Sequence, residues 1–341
     1  GRIRIIQDRR DILKILKTVE KFPGGLMVGP LLIAAVIHTW APGIVEIGGP
    51  TTALFSSAGT MCLAGLLLFI IGSQLPVRQV GSVLKRHGTL LIIKLTAAFA
   101  VGMLLMHNFG AKGFFGISTM AFVSVLSSNN PGVFLALTKT YGDEIDHAAF
   151  GLWNVACMPT IPLLILGAAS GAAFDYMALI ALLVPFLLGI LLGNSDADIR
   201  KLMAPGSMIM LPFLGFCFGI SVDLVTAFRS GLQGLVLTLI FYLISVIPAF
   251  FTDRWILRRP GYGSIATCCV AGLAIGAPAQ IAQAVPEHAP YLQTATAQIA
   301  LVMILTTVIT PFLTRFAAGR FGTASSGAKS HRAVKNAPSI S

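Results

Sequence analysis

The sequence predicts an all-α integral membrane protein of ten transmembrane helices, built as two inverted five-helix repeats in which the fourth and ninth helices are broken. Three observations carry that expectation. Of the 341 residues, 55% are apolar and only 11% charged, which excludes an ordinary soluble domain. Two landmarks recur at one offset of 147 residues: Pro131 of Ser127-Ser128-Asn129-Asn130-Pro131-Gly132 is matched by Pro278 of Gly276-Ala277-Pro278-Ala279-Gln280, and Phe69-Ile70-Ile71-Gly72-Ser73 by Phe216-Cys217-Phe218-Gly219-Ile220. Finally, 21 of the 24 Lys and Arg residues fall in the two tails or in alternate loops. That is a topology signal, and it removes the nucleic-acid reading that a net charge of +11 would otherwise invite.

Residues 1–21 carry Arg2, Arg4, Arg9, Arg10, Lys14, Lys17 and Lys21 and are expected to form a basic cytoplasmic arm. No cleavable signal peptide is expected, because that arm leads into one apolar segment after another. A span needs about 20 apolar residues, fewer where it is interrupted. By that rule the first repeat, 22–172, holds spans near 26–40, 52–72, 89–107, 114–141 and 147–168. The second, 173–320, holds spans near 177–193, 204–222, 231–252, 262–285 and 293–317. Residues 321–341 are too poor in apolar side chains to fold and are expected to be a disordered cytoplasmic tail.

The loops agree with this count. With the N-terminus inside, the cytoplasmic connections hold Arg78, Lys85, Arg86, Lys139, Arg200, Lys201, Arg254, Arg258 and Arg259, whereas the outward ones hold only Lys112 and Arg229. Positive charge stays on the cytoplasmic side. An odd number of spans per repeat turns the second half upside down, the arrangement in which one part of a bundle moves against another to alternate access.

The chemistry is expected at the two breaks. A helix starting at Pro131, capped by Asn129 or Asn130, and another starting at Pro278 leave first-turn N–H groups bare. If those starts meet near the midplane, two positive dipole ends face one small volume, which is an anion site. Ser127, Ser128, Asn129, Asn130, Gly132, Gly276, Ala277 and Gln280 are the candidate substrate contacts there. Asn154, Gln283 and Gln298, with Thr160, Thr294 and Thr296, serve either as ligand contacts or as helix-to-helix hydrogen bonders. Lys94, six residues into the third span, is expected to snorkel to the interface, and His38 and His107 to pack at the outer surface.

All thirteen Asp and Glu residues fall at span ends or in loops or the arm, so no coupling carboxylate is evident at mid-membrane. The five cysteines lie in apolar stretches without metal-ligand spacing, which argues against a disulfide framework or a metal site. No G-x-S-x-G, H-E-x-x-H or P-loop pattern occurs, leaving no basis for an enzyme and implying no cofactor.

Several phrases together make the chain resemble the 2-keto-3-deoxygluconate permease family over about residues 20–318. They are Lys21-Phe22-Pro23-Gly24-Gly25 with Pro30, His38-Thr39, Pro42-Gly43, Lys85-Arg86-His87-Gly88-Thr89-Leu90 with Lys94, Gly193-Asn194-Ser195-Asp196 with Arg200, Pro212-Phe213 with Phe218-Gly219, and Asp223-Leu224. The resemblance implies a multi-pass bacterial inner-membrane symporter, proton-coupled, that imports a sugar acid. It also implies a bile-acid-transporter-like fold in which the two broken helices cross inside a mobile core. Against the family pattern, Asp-Met-Thr-Asn-Gly-Gly becomes Ser127 to Gly132, and two Glu positions fall on Ala156 and Gln283. Asn130 and Gly132 are kept while three carboxylates are not.

The reading is a secondary transporter of a small organic anion, 2-keto-3-deoxygluconate or a related sugar acid, with H+ as the coupling partner that the resemblance implies and the bilayer as its setting. A uniporter or exchanger of another carboxylate, and a membrane sensor that binds without carrying, remain as alternatives.

Overall fold

In a computed structural model of the chain, the described residues are 25–75, 80–169, 176–220, 223–229 and 231–324. The expected basic arm, Arg78 and the tail beyond residue 324 lie outside them. The architecture is all helical. Among the described residues, five helices are long and apolar enough to cross a membrane, and a sixth is counted if one bent pair is a single span.

The chain begins with α1 (Gly25–Trp40), a short α2 (Gly49–Leu54) and α3 (Ser57–Gln74). A single turn, α4 (Val80–Val83), runs through a π-helical turn at Leu84–Gly88 into α5 (Thr89–Phe109). Then come α6 (Thr119–Ser127) and α7 (Pro131–Tyr141), with extended backbone between them. Ser118 caps α6 by accepting the Ala121 N–H at 3.3 Å. Three pieces follow, α8 (Glu144–Ala148), α9 (Phe150–Ala156) and α10 (Thr160–Ala169).

The fifth expected span is therefore not continuous. It bends by 59° between Ala156 and Thr160. The bend falls where Pro159 and Pro162 have no N–H to give to the carbonyls of Val155 and Met158, which instead accept from Met158 at 3.3 Å and Ile161 at 3.0 Å in tighter turns.

The chain continues with α11 (Tyr176–Ser195), α12 (Ala197–Met203), α13 (Gly206–Gly219), α14 (Leu224–Arg229) and α15 (Gly231–Phe251). It continues through α16 (Tyr262–Ala266), α17 (Ala277–Ala284) and the 30-residue α18 (Leu292–Phe321).

Here too an expectation is corrected. The interruption was placed at Gly276–Gln280, but α-helix already stops after Ala266. Residues up to Ala271 carry no regular helix, and a 3-10 turn at Gly272–Gly276 leads into α17. Pro278 is the second residue of α17 rather than its first. The reason is a supply of partners for the freed backbone, described below.

Helix packing uses bare glycine faces. A Cβ on Gly72 would collide with the Phe186 carbonyl, and Cβ atoms on Gly189 and Gly193 with the carbonyls of Phe69 and Ser73. So α3 and α11 lie backbone to backbone. In the same way Gly215 and Gly219 of α13 meet the carbonyls of Met27 and Leu31 on α1. Small residues allow this approach where lipid offers no hydrophobic drive between helices. Gly72 and Gly219, the paired landmarks, thus do one job at two places.

Behind these pairs, α5 packs on α6, α10 and α15, and α15 on α16 and α18. The segments α6 and α17 touch, as do α7 and α16. Among the described residues, α6 is buried at all nine of its positions and the short α16 at all five.

Candidate functional site

The first interruption is Ser128-Asn129-Asn130. Ser127 turns its hydroxyl back to the Val123 carbonyl at 2.7 Å, and Ser128, in extended conformation, ends α6. Asn130 caps α7 by accepting the Val133 N–H at 3.2 Å, which settles which of the two asparagines serves as the cap. The Asn129 amide donates to the Trp153 carbonyl at 2.7 Å, holding the interruption against α9.

The second interruption touches the first. Ala271 gives its N–H to Ser128 Oγ at 3.0 Å, and Val270 gives its own to Thr306 Oγ1 at 3.0 Å. Thr310 donates to the Cys268 carbonyl at 2.6 Å, and Lys94 to that of Thr267 at 3.3 Å. Buried backbone groups must be paired. Four side chains from three distant parts of the chain supply the partners, and this lets the segment stay extended.

Around these segments lie two clefts. One is lined by Ser124, Ser127, Ser128, Ala156, Cys157, Met158, Pro159, Pro162 and Ala274. The other is lined by Thr60, Met61, Phe218, Gly276, Ala279, Gln280 and Gln283. A Cβ on Gly276 would stand 2.9 Å from the Phe218 ring and 3.8 Å from Pro159, so Gly276 sits where the clefts adjoin. No side chain caps α17. Two buried polar atoms at the first interruption, Ser124 Oγ and Asn129 Oδ1, have no protein partner.

The candidate residues fall into three groups. Ser127, Ser128 and Asn129 are buried at the first interruption, with Asn130 half-buried, Pro131 buried and Gly132 exposed beside them. Gly276, Ala277, Pro278 and Gln280 form the start of α17, with Gln283 exposed one turn on. Two others are committed elsewhere: Asn154 bonds its own helix at the Phe150 carbonyl, 2.8 Å, and Gln298 donates to the Gly116 carbonyl, 3.0 Å.

Lys94 does not snorkel. It is 3% exposed, with its ammonium 5.0 Å from the centre of the Phe241 ring. The stem is held inside because α5 packs on α15 and α10 along this stretch, and the Thr267 carbonyl is within its reach.

A second feature also departs from expectation. Asp146 and Asp253, expected in solvated loops, are fully buried. Asp146 accepts from Arg259 at 2.8 Å, Tyr262 at 2.8 Å, Arg86 at 3.2 Å and His87 at 2.9 Å. Because Trp153 Nε1 donates to His87 Nδ1 at 3.2 Å, the hydrogen-bond pattern assigns the His87 proton to Nε2, facing Asp146. Arg86 also grips Asp143 at 2.6 and 2.8 Å. Burial works against the Arg259 charge, yet Asp146 and Asp253 hold its pKa above the usual guanidinium value. The network ties together three connections that the sequence reading treated as separate. Their opposite charges on one side of the bundle were the available signal.

Comparison with known proteins places the chain among named permeases. Residues 16–323 match the family model described as 2-keto-3-deoxygluconate permease. The chain is 36% identical over 308 residues to 2-keto-3-deoxygluconate permease 1 of Salmonella typhimurium, covering 90% of this chain and 96% of that one. It is 34% identical over 315 residues to the 2-keto-3-deoxygluconate permease of Tolumonas auensis, covering 91% and 94%. To that of Xanthomonas euvesicatoria it is 35% identical over 321 residues, covering 92% and 100%.

Proposed function

We propose, from the premise that this chain belongs to the 2-keto-3-deoxygluconate permease family, that it carries 2-keto-3-deoxygluconate or a closely related sugar acid across a bacterial inner membrane. The carrier has ten spans in two inverted repeats, residues 22–172 and 173–320, with both termini in the cytoplasm. Its substrate sits at the two interrupted helices, which cross, and is exposed to each side in turn.

The observation that carries this reading is the bond from the Ala271 N–H to Ser128 Oγ, which brings the interruption of one half against that of the other. Next to it the substrate carboxylate lies beside the start of α17, which no side chain caps and where the helix dipole favours an anion. Sugar hydroxyls donate to Asn129 Oδ1, and Ser124, Asn130 and Gln280 offer further hydrogen bonds.

The inverted repeat is supported by how helices pair. Exchanging each helix for its counterpart turns α1 on α13 into α11 on α3, α5 on α6 into α15 on α16, and α7 on α16 into α17 on α6, all of which occur.

The test is counterflow of labelled 2-keto-3-deoxygluconate in proteoliposomes. Saturable exchange supports the proposal. Binding without exchange would make the protein a sensor, and exchange restricted to some other carboxylate would overturn the substrate. Proton uptake measured alongside separates a symporter from a uniporter or exchanger.

A further inference from the structure

Lys94 stands apart from the other buried charges. Arg86, Arg259, Asp146 and Asp253 belong to the network above, whereas among the described residues no carboxylate pairs with Lys94. Its three potential donors meet one carbonyl, that of Thr267, and the face of Phe241.

Phe241 is also the residue 147 positions after Lys94, the offset that relates Pro131 to Pro278 and Gly72 to Gly219. The lysine therefore rests on its own counterpart in the other half, at the contact of α5 with α15. It is a single charge at the line where the halves meet, and it touches the segment that Ser128 also holds.

We infer that Lys94 is the proton-binding residue of the transport cycle, taking up a proton as the substrate carboxylate binds and giving it up as the carboxylate leaves. This rests on the reading of the chain as a carboxylate carrier.

The physical reason is charge compensation. An ammonium and an amine both keep the hydrogen bond to Thr267, so the protein itself accommodates either state. A carboxylate at the interruptions tips the balance: at roughly 10 Å and an effective dielectric near 20, its attraction strengthens proton binding about tenfold. The same coupling makes the protonated carrier bind the anion more tightly. The proton passes from outside water to the Nζ lone pair, travels with the anion, and leaves to cytoplasmic water after it, so the emptied carrier returns neutral.

The titratable groups facing Lys94 are the thiols of Cys268 and Cys269. Tyr242, next to Phe241 on α15, directs its hydroxyl to Thr310 at 2.8 Å, and α6 and α10, which also pack on α5, carry no Asp, Glu, Lys, Arg or His. No carboxylate competes for the role at that depth among these elements.

The test is made on full-length protein in proteoliposomes with a trapped pH dye and labelled 2-keto-3-deoxygluconate. In the wild type, substrate entry brings in about one proton per anion, and an inward proton gradient speeds uptake. Lys94→Gln is expected to lose both the proton signal and the stimulation, while anion exchange falls no more than about tenfold. Lys94→Arg, which does not release its proton, is expected to exchange anion for anion yet fail in net uptake.

Proton entry at wild-type stoichiometry in Lys94→Gln, or full coupled uptake in Lys94→Arg, overturns the assignment. Should the variants not fold, calorimetry on the wild type in two buffers of different ionisation enthalpy decides: binding without proton uptake overturns it. A wild type that neither binds nor carries the sugar acid overturns the proposed function as well, so the two failures are distinguishable.

Discussion

Ser128 accepts the backbone N–H of Ala271 at 3.0 Å across 143 residues of chain, joining the two places where helix gives way to extended backbone. Both partners are buried, so the bond has no water to replace it. Ser128→Ala is expected to leave that N–H unpaired at about 1–3 kcal/mol. A lower midpoint in detergent unfolding measures this, and Ser128→Thr, which keeps a hydroxyl, should recover most of it. An unchanged midpoint for the alanine variant would mean the segment finds another partner.

At the charged end of the bundle, Asp146 is the hub. Asp146→Asn removes the one carboxylate that Arg86, Arg259, His87 and Tyr262 share and leaves two half-buried guanidinium groups with one carboxylate each, a loss of up to about 3 kcal/mol. Adding Arg259→Met should cost less than the sum of the two single changes, because the residues act as one unit. Strict additivity in that cycle would show that they do not.

The glycine faces give a sharp contrast. Gly72→Ala and Gly219→Ala each press a methyl against a carbonyl of the neighbouring helix, and overpacking of this kind costs about 1–3 kcal/mol. Gly65, on the same helix as Gly72, has nothing within 4 Å of its would-be Cβ. Gly65→Ala should therefore be neutral or slightly stabilising, since alanine is the better helix former. The comparison is read from relative melting temperatures of the three variants.

The anion contacts can be tested by ligand-induced thermal shift, because a ligand bound only by the folded form raises its melting temperature. Asn130→Ala and Gln280→Ala are each expected to weaken 2-keto-3-deoxygluconate about tenfold, the loss of one hydrogen bond to a charged or polar ligand. Asn130→Ala should also lower the midpoint of the unliganded protein by removing the cap on Val133. Shifts equal to the wild type in both variants would place the substrate elsewhere.

Much of the fold was legible because a bilayer punishes any irregular backbone. The run at Ser128-Asn129-Asn130-Pro131 stood out in the sequence, and α7 starts at Pro131 with Asn130 as its cap. The offset of Gly72 to Gly219 was legible too, although that both glycines seat a neighbouring helix became visible only with packing.

What sequence could not reach was set by contacts between distant residues. Thr267 to Gly276 reads as a helix by composition, yet Ser128, Thr306, Thr310 and Lys94 supply the hydrogen bonds that hold its first half open. The bend at Cys157–Pro159 breaks the span expected over 147–168, and Pro159 and Pro162 were its signal in the sequence. Likewise, Asp146 and Asp253 read as loop charges until the fold brought Arg259 and Arg86 to them.

By itself, then, the sequence determined the apolar helices, the duplicated landmarks and the polar gap at Ser128–Asn130. These follow from local backbone chemistry and from the cost of unpaired amides in hydrocarbon. Only the tertiary structure decided that Lys94 stays inside, that the second interruption opens ten residues before the start of α17, and that the loop charges form one buried network. Each depends on a partner more than fifty residues away in the chain, and a periodic pattern carries no record of such partners.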